Sequence, residues 1–255
     1  MTPPSSESAA AEPGPSPRSR LPARVGAQVI PRPASIRDGD PAPWADLAPA
    51  DRHVSMEAVR ARFADAPPPL PSPLEGSGVR ASAVLAPLYE TEDGVNVVLT
   101  RRAQHLRSHR GEVSFPGGGQ DLGEDLQTTA RRDACEEIGL DPADVDIIGE
   151  LDHLQTVTSQ SFIVPFVALL PGRPDLTANP SEVELILHVP LDDLLDPEVF
   201  REERWGIPPL EFAVQLFEIP GDTIWGATGK MLRNLLGLLT GTEWRDDQDR
   251  STARG

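Results

Sequence analysis

The chain is poor in three things. Of its 255 residues one is cysteine, Cys135. No intramolecular disulfide is available, and an oxidising compartment gains no support. Aromatic residues make up 5%, with a single tyrosine among them, which is lean for a chain packed from end to end. Long apolar runs are also missing. The longest, residues 162–170, contains Pro165 and falls far short of the ~20 residues that a membrane-spanning helix needs. The N-terminus carries arginines but lacks the apolar segment of a signal peptide. These absences point to a soluble, cytoplasmic protein with no membrane partner. Positive charge is scarce too: 23 Lys and Arg stand against 40 Asp and Glu, for a formal net charge of −17. Such a chain repels a phosphate backbone at long range, which argues against general nucleic-acid binding. A small anionic ligand would need a local cluster of arginines or a metal ion. Nothing in the pattern indicates an oligomeric state.

Proline is unevenly spread. Sixteen of the 28 prolines fall in the first 73 residues. Residues 1–43, rich in Pro, Ala, Ser and Arg, are expected to form a disordered arm. Residues 44–73 are expected to hold a short amphipathic helix (SMEAVRARF, 55–63) followed by a stiff Pro-rich linker (PPPLPSP, 67–73). A folded domain is then expected over 74–241, and a polar tail over 242–255. Within the domain, residues 79–89 and 96–100 flank a Glu-Asp-Gly turn and predict a hairpin. Residues 125–138 predict a helix with Gly139 as its C-terminal cap. Strands are expected over 146–157, 162–170, 183–189 and 210–219. Pro190 could open a short helix reaching Leu195. Leu232, Leu235, Leu236 and Leu239 recur at helical spacing and predict a terminal helix. Strands and helices mix without strict alternation, so the fold class expected is α+β with a mixed sheet.

One stretch conflicts with its local structure. Asp133, Glu136 and Glu137 fall within an arc of roughly 100° on the predicted helix. Like charges at this spacing repel, and near a helix C-terminus they also oppose the helix dipole. Such local inconsistency tends to mark function. A divalent cation would resolve it, since Mg²⁺ and Mn²⁺ favour hard oxygen ligands. The preceding turn, Gly117–Gly118–Gly119, lets the backbone approach a ligand closely. In so acidic a chain, three acids on a solvated face also arise by chance, and the spacing of the whole stretch carries more weight than the acids alone.

Reading from Gly118, five residues lead to Glu124 and seven more to Arg132. There follows Arg132-Asp133-Ala134-Cys135-Glu136-Glu137-Ile138-Gly139-Leu140. This resembles the Nudix box, Gly-x5-Glu-x7-R-E-U-x-E-E-x-G-U with U aliphatic. Every fixed position agrees except Asp133, where the family has Glu, and Ala134 is a small occupant of a U position. The resemblance implies an α/β/α sandwich that hydrolyses a nucleoside diphosphate linked to a further group, using Mg²⁺ or Mn²⁺. It implies Glu136 and Glu137 as principal metal ligands, with Asp133 beside them and the Gly117 carbonyl as a further ligand. It also implies that Arg132 orients the glutamates and that Glu124 is a structural charge at the helix start. The general base stays open between a box acid and a later carboxylate such as Glu182.

Upstream, VLTRRAQHLRSHRGEVSFPGG (98–118) resembles a second signature, L-L-T-x-R-[SA]-x3-R-x3-G-x3-F-P-G-G, of the coenzyme A pyrophosphatase branch of that family. Thr100, Arg102, Ala103, Arg107, Gly111 and the Phe-Pro-Gly-Gly run at 115–118 fit in register, and only Val98 differs. IWGAT at 224–228 and the segment from Gly149 to Val167 are also similar to that branch. Arginines suit a substrate that carries a pyrophosphate and a 3′-phosphate, because a guanidinium binds two oxygens at once. Arg102 and Arg107 are the candidate phosphate contacts, with Gly118 at the substrate and Arg101 and Arg110 behind. The implied reaction splits coenzyme A, or a derivative, into 3′,5′-ADP and 4′-phosphopantetheine. Two alternatives are a hydrolase for another substrate such as ADP-ribose, and a binding module weakened by Asp133. His105 and His109 have a transition-metal spacing but no evident third ligand. Cys135 reads as a small helix residue and Trp225 as a packing anchor.

Overall fold

The structure is a computed structural model that describes residues 28–156 and 161–242. In chain order the elements are β1 (Ile36–Asp38), α1 (Met56–Ala64), β2 (Ala81–Thr91), β3 (Gly94–Arg102), β4 (Val113–Ser114), β5 (Gly117–Gly119), α2 (Leu126–Ile138), β6 (Asp146–Glu150), β7 (Leu154–Gln155), β8 (Phe162–Leu169), β9 (Val183–Pro190), α3 (Leu191–Leu194), β10 (Phe200–Ile207), β11 (Leu210–Ile219), β12 (Asp222–Ile224) and α4 (Gly226–Thr240). They build two sheets, one of eight strands and one of four in the order β1-β10-β11-β12.

The larger sheet is mixed. β2 pairs antiparallel with β3 only from Leu88 to Thr91. Beyond that the two diverge, and a turn fills the gap. β5 pairs with the start of β2, and β4 pairs with the end of β3. β8 lies parallel to β2 along its length, β6 and β7 add to β8, and β9 covers the outer side of β3. β2 is apolar almost throughout because both of its faces are covered. Val84, Ala86 and Leu88 point into one core, shared with α1 and α4. Ala81, Ala83, Leu85 and Tyr89 point into the other, shared with α2. The result is an α/β/α sandwich with a mixed sheet in the middle, the α+β architecture expected.

The hairpin, the strands of 162–169, 183–190 and 210–219, and the helices α2 and α4 match the expected elements, whereas the strand expected over 146–157 is split into β6 and β7 and its residue 157 lies outside the described residues. The N-terminal organisation differs from expectation. Within the supposed arm, β1 pairs with β10, Ile36 opposite Trp205. Within the supposed linker region, Trp44, Val59 and Phe63 belong to the main core. Trp44 is fully buried and stacks on Phe217 at 6.3 Å between centroids. The physical reason is that three large apolar groups outweigh a proline-rich context. Burying each is worth about 1.5–3 kcal/mol or more. Residues 1–27 of the expected arm and 243–255 of the expected tail lie outside the described residues.

α2 is defined at both ends. The Asp125 side chain accepts from the Thr128 N–H at 2.9 Å, and Gly139 closes the helix at φ 70°, a conformation that favours glycine. Ala130, Ala134 and Ile138 are fully buried against the sheet. That anchors the opposite edge of α2 alongside β5.

Candidate active site

The site forms where α2 passes β5. Pairing of β5 with β2 sets Gly117 opposite Val84 and Gly118 opposite Ala83. Gly117 has φ 147°, and a Cβ there would lie 2.3 Å from the Ala83 carbonyl oxygen. Only glycine fits. A Cβ on Gly118 would lie 2.7 Å from Asp133 Oδ2. The bare backbone therefore leaves room for that carboxylate.

Arg132 is fixed before it reaches any acid of the site. Its Nε and Nη2 donate to Glu124 Oε1 and Oε2 at 2.9 and 3.0 Å, a fork-on-carboxylate pairing that defines orientation. Nη2 also donates to the Gly119 carbonyl at 3.3 Å. The Thr129 hydroxyl donates to Glu124 Oε2 at 2.6 Å. Hydrogen bonds from Arg132 above all, then from Thr129, hold the Glu124 carboxyl down at about 2, and Arg132 is raised in turn, chiefly by its bond to Glu124. So braced, Nη1 of Arg132 donates to Asp133 Oδ1 and lies 3.4 Å from Glu136 Oε2.

The three acids do not share one environment. Asp133 and Glu137 are buried. Burial lifts the Asp133 carboxyl to about 6, with Arg132 opposing and Glu136 and Glu124 adding. Burial lifts Glu137 to about 8. There the Arg102 charge and a backbone hydrogen bond from Gly117 pull down, while Glu182 and Asp133 push up. Asp133 Oδ2 is buried with no hydrogen-bond partner. The Glu136 side chain, by contrast, is 61% exposed and turned to Arg132. Among the described residues no group of three or more His, Cys, Asp or Glu converges to hold a metal ion. The three acids expected to share one ion do not lie together in this conformation: two carboxylates face inward and the third faces out. Its cause is Arg132, which sits one turn before Glu136 and captures it.

The inner pair still suits a hard cation. An orphaned carboxylate oxygen is costly to bury, and two neighbouring acids forced up by burial lack the positive charge that would let both ionise. Arg102 supplies part of it from the end of β3. The loop that leads into β9 runs past the C-terminal end of α2. The Thr177 and Asn179 N–H groups donate to the Ile138 and Glu137 carbonyls at 2.9 and 2.8 Å. They cap α2, and Glu182 follows within reach of Glu137. Backbone caps of this kind leave no mark in the sequence, and this pair was not anticipated. Asp125 and Thr129 were not singled out either; their polar side chains at a helix start are the signal that could have found them.

Other candidates stand apart. Arg107 is exposed on the loop 103–112. Arg101 turns away from the acids to Asp222. His105 bonds the Ser181 carbonyl and His109 pairs with Glu112, so the two imidazoles do not face one ligand. Cys135 is exposed. Trp225 packs on Trp205 at 6.1 Å, in keeping with a packing anchor. Among the described residues no helix is long and apolar enough to cross a membrane.

Comparison with known proteins identifies the family. The family model described as "NUDIX domain" matches residues 79–208. Nudix hydrolase 3 of Caenorhabditis elegans is 32% identical over 183 residues, covering 66% of this chain and 76% of the relative. Nudix hydrolase 22, chloroplastic, of Arabidopsis thaliana is 38% identical over 163 residues, 60% of this chain. The match spans about half the length of that plant relative, 53%. A MutT/nudix family protein from Enterococcus faecalis superposes with a TM-score of 0.42 at 14% identity, covering 70% of this chain and 67% of that one. A matching family model over half the chain, joined to a relative covered over three quarters of its length, places this protein in the NUDIX domain family.

Proposed function

We propose that the protein hydrolyses the pyrophosphate bond of coenzyme A or its derivatives, releasing 3′,5′-ADP and 4′-phosphopantetheine or its acyl form. The observation that carries the reading is the meeting of two motifs. The charge of Arg102, from the arginine signature, acts on Glu137, from the acidic box. Asp133 and Glu137 would hold Mg²⁺ or Mn²⁺, joined by the Gly117 carbonyl and by Glu136 once its side chain leaves Arg132. Such an ion neutralises pyrophosphate charge and lowers the pKa of a bound water. The chain's own residues do the rest. Arg132, braced by Glu124, holds Asp133 Oδ1 and fixes how Oδ2 is presented. Arg102 and Arg107 bind phosphate oxygens, and the Cβ-free Gly118 lets substrate approach. Glu182, whose charge acts on Glu137, would take a proton from the attacking water.

Incubation with coenzyme A and Mg²⁺, with products separated by chromatography, tests this. Equimolar 3′,5′-ADP and 4′-phosphopantetheine are expected. If coenzyme A and acyl-coenzyme A stay intact while ADP-ribose or a nucleoside diphosphate sugar is cut, the substrate is of another kind. One observation favours a third reading, a weakened module. Asp133 is one methylene shorter than the family Glu, and Arg132 occupies one of its oxygens. Asp133→Glu separates the cases: a large rise in turnover marks the natural site as attenuated, and an unchanged or lower rate marks it as fully competent.

A further inference from the structure

Arg101 occupies the one position that the arginine signature leaves open between Thr100 and Arg102. Neighbouring residues on a strand point to opposite faces. Arg102 therefore goes to the acids of α2 and Arg101 to the other side. There its Nη1 donates to both oxygens of Asp222, at 3.1 and 3.3 Å, and its Nη2 lies 3.5 Å from Glu184 Oε1. Asp222 is 7% exposed. Burial pushes its carboxyl up, Arg101 pulls it down and Glu184 adds to the rise.

The pair joins two separate sheets. Arg101 is near the end of β3 in the eight-stranded sheet, and Asp222 opens β12 in the four-stranded one. At the same point the β3–β9 ladder slips. Arg101 stands opposite Leu185 but Arg102 stands opposite Val183, so Glu184 has no partner in the ladder. A bulge re-aims the side chains beside it. Here those are Arg102 on one strand and Glu182 just beyond the other. The two stay linked, since the Ala103 N–H donates to the Glu182 carbonyl at 2.8 Å.

Stability alone is a weak reason for such a pair. Two well-packed apolar groups generally hold a fold as well as a buried ion pair, although removing one partner leaves a costly lone charge. Its place beside the bulge supplies a better reason. We infer that Asp222, acting through Arg101 and the Glu184 bulge, is a positioning residue that latches the four-stranded sheet to the end of β3 and so keeps Arg102 and Glu182 against Glu137. The inference rests on the hydrolase reading for its purpose, though not for its test.

The test uses the full chain in three forms: wild type, Asp222→Asn, and the double variant Arg101→Met/Asp222→Leu. Three quantities are measured: thermal midpoint, amide hydrogen exchange residue by residue, and kcat/KM for coenzyme A with Mg²⁺. Asp222→Asn is expected to speed exchange of the Arg102 and Ala103 amides by about tenfold or more while β8 keeps its protection. The double variant leaves no charge buried alone and is expected to recover the thermal midpoint to within about 2 °C. It is also expected to keep the faster exchange at Arg102 and Ala103 and to lose about tenfold in kcat/KM. A double variant that regains both local protection and turnover would overturn the inference, because the pair would then be only a buried charge with its partner. If wild type cuts no coenzyme A, the substrate reading fails, and exchange alone judges the latch. Unchanged protection at Arg102 and Ala103 in both variants sinks it.

Discussion

Replacing Glu137 by Gln should make the metal-free protein more stable while destroying its activity. Burial raises this carboxyl from 4.5 to about 8. Each pH unit of displacement is worth ~1.4 kcal/mol, so ionising Glu137 in the metal-free fold costs up to about 5 kcal/mol above pH 8. A raised carboxyl pKa means that the folded state binds the proton more tightly than the unfolded state. The group therefore costs little below pH 4.5, and stability falls as pH rises from 4.5 through 8. Gln carries no charge to desolvate and keeps an oxygen for the Gly117 N–H, though it also deprives Arg102 of a partner. A net gain on the order of 2–4 kcal/mol at pH 8.5 is expected, shrinking to below about 1 kcal/mol at pH 5. Urea unfolding in EDTA at the two pH values measures it. Adding Mg²⁺ should then close most of the gap, since a cation bound to the native state at a hundred times its Kd adds about 2.7 kcal/mol to wild type. A Gln variant less stable than wild type at pH 8.5, or a gain equal at both pH values, would refute the reasoning.

Four further substitutions have expected outcomes. Gly118→Ala should leave the unfolding midpoint almost unchanged but lower kcat by about a hundredfold, since its Cβ would displace Asp133 by a fraction of an ångström to one ångström. Gly117→Ala should instead cost well over 2 kcal/mol in urea unfolding, from the clash with the Ala83 carbonyl and an unfavourable φ. Glu124→Gln should lower kcat about tenfold by freeing Arg132. Glu124 is held down at about 2, so wild type carries a stabilising contribution above pH 4.5 that disappears as pH falls toward 2. Acid unfolding followed by circular dichroism should lack that component in the variant. Trp44→Ala should cost about 3–5 kcal/mol by urea unfolding, which tests whether the segment ahead of the domain belongs to its core.

What could be read in advance follows from how local each signal is. The leucines of α4 and the Gly139 cap of α2 act within a turn or two, and both helices lie where these signals placed them. β2 and β8 showed as apolar runs because they are covered on both faces. β10 escaped notice because its residues 201–204, Arg-Glu-Glu-Arg, look solvent-facing. Glu202 and Glu203 are nonetheless buried, satisfied by Gln215 at 3.1 Å and Trp205 at 2.7 Å. Gln215 comes from the neighbouring strand β11 and is supplied only by the folded sheet. β1 and β12 are three residues each, too short to carry a period. In the site, spacing placed Asp133 and Glu137 on one helical face together with Glu136. It carried no information on rotamers, so the outward turn of Glu136 to Arg132 was not legible. The capping of α2 by the Thr177 and Asn179 N–H groups and the slip at Glu184 depend on strands distant in sequence.

In the proposed reading, two inward carboxylates on one helix hold a divalent cation. Titration of the metal-free protein with Mn²⁺, followed by electron paramagnetic resonance of the free ion, tests it most directly. Wild type should take up Mn²⁺ with loss of the free-ion signal, and Glu137→Gln and Asp133→Asn should each weaken uptake by about tenfold or more. Uptake that is identical in all three proteins, or absent from wild type, would contradict the account.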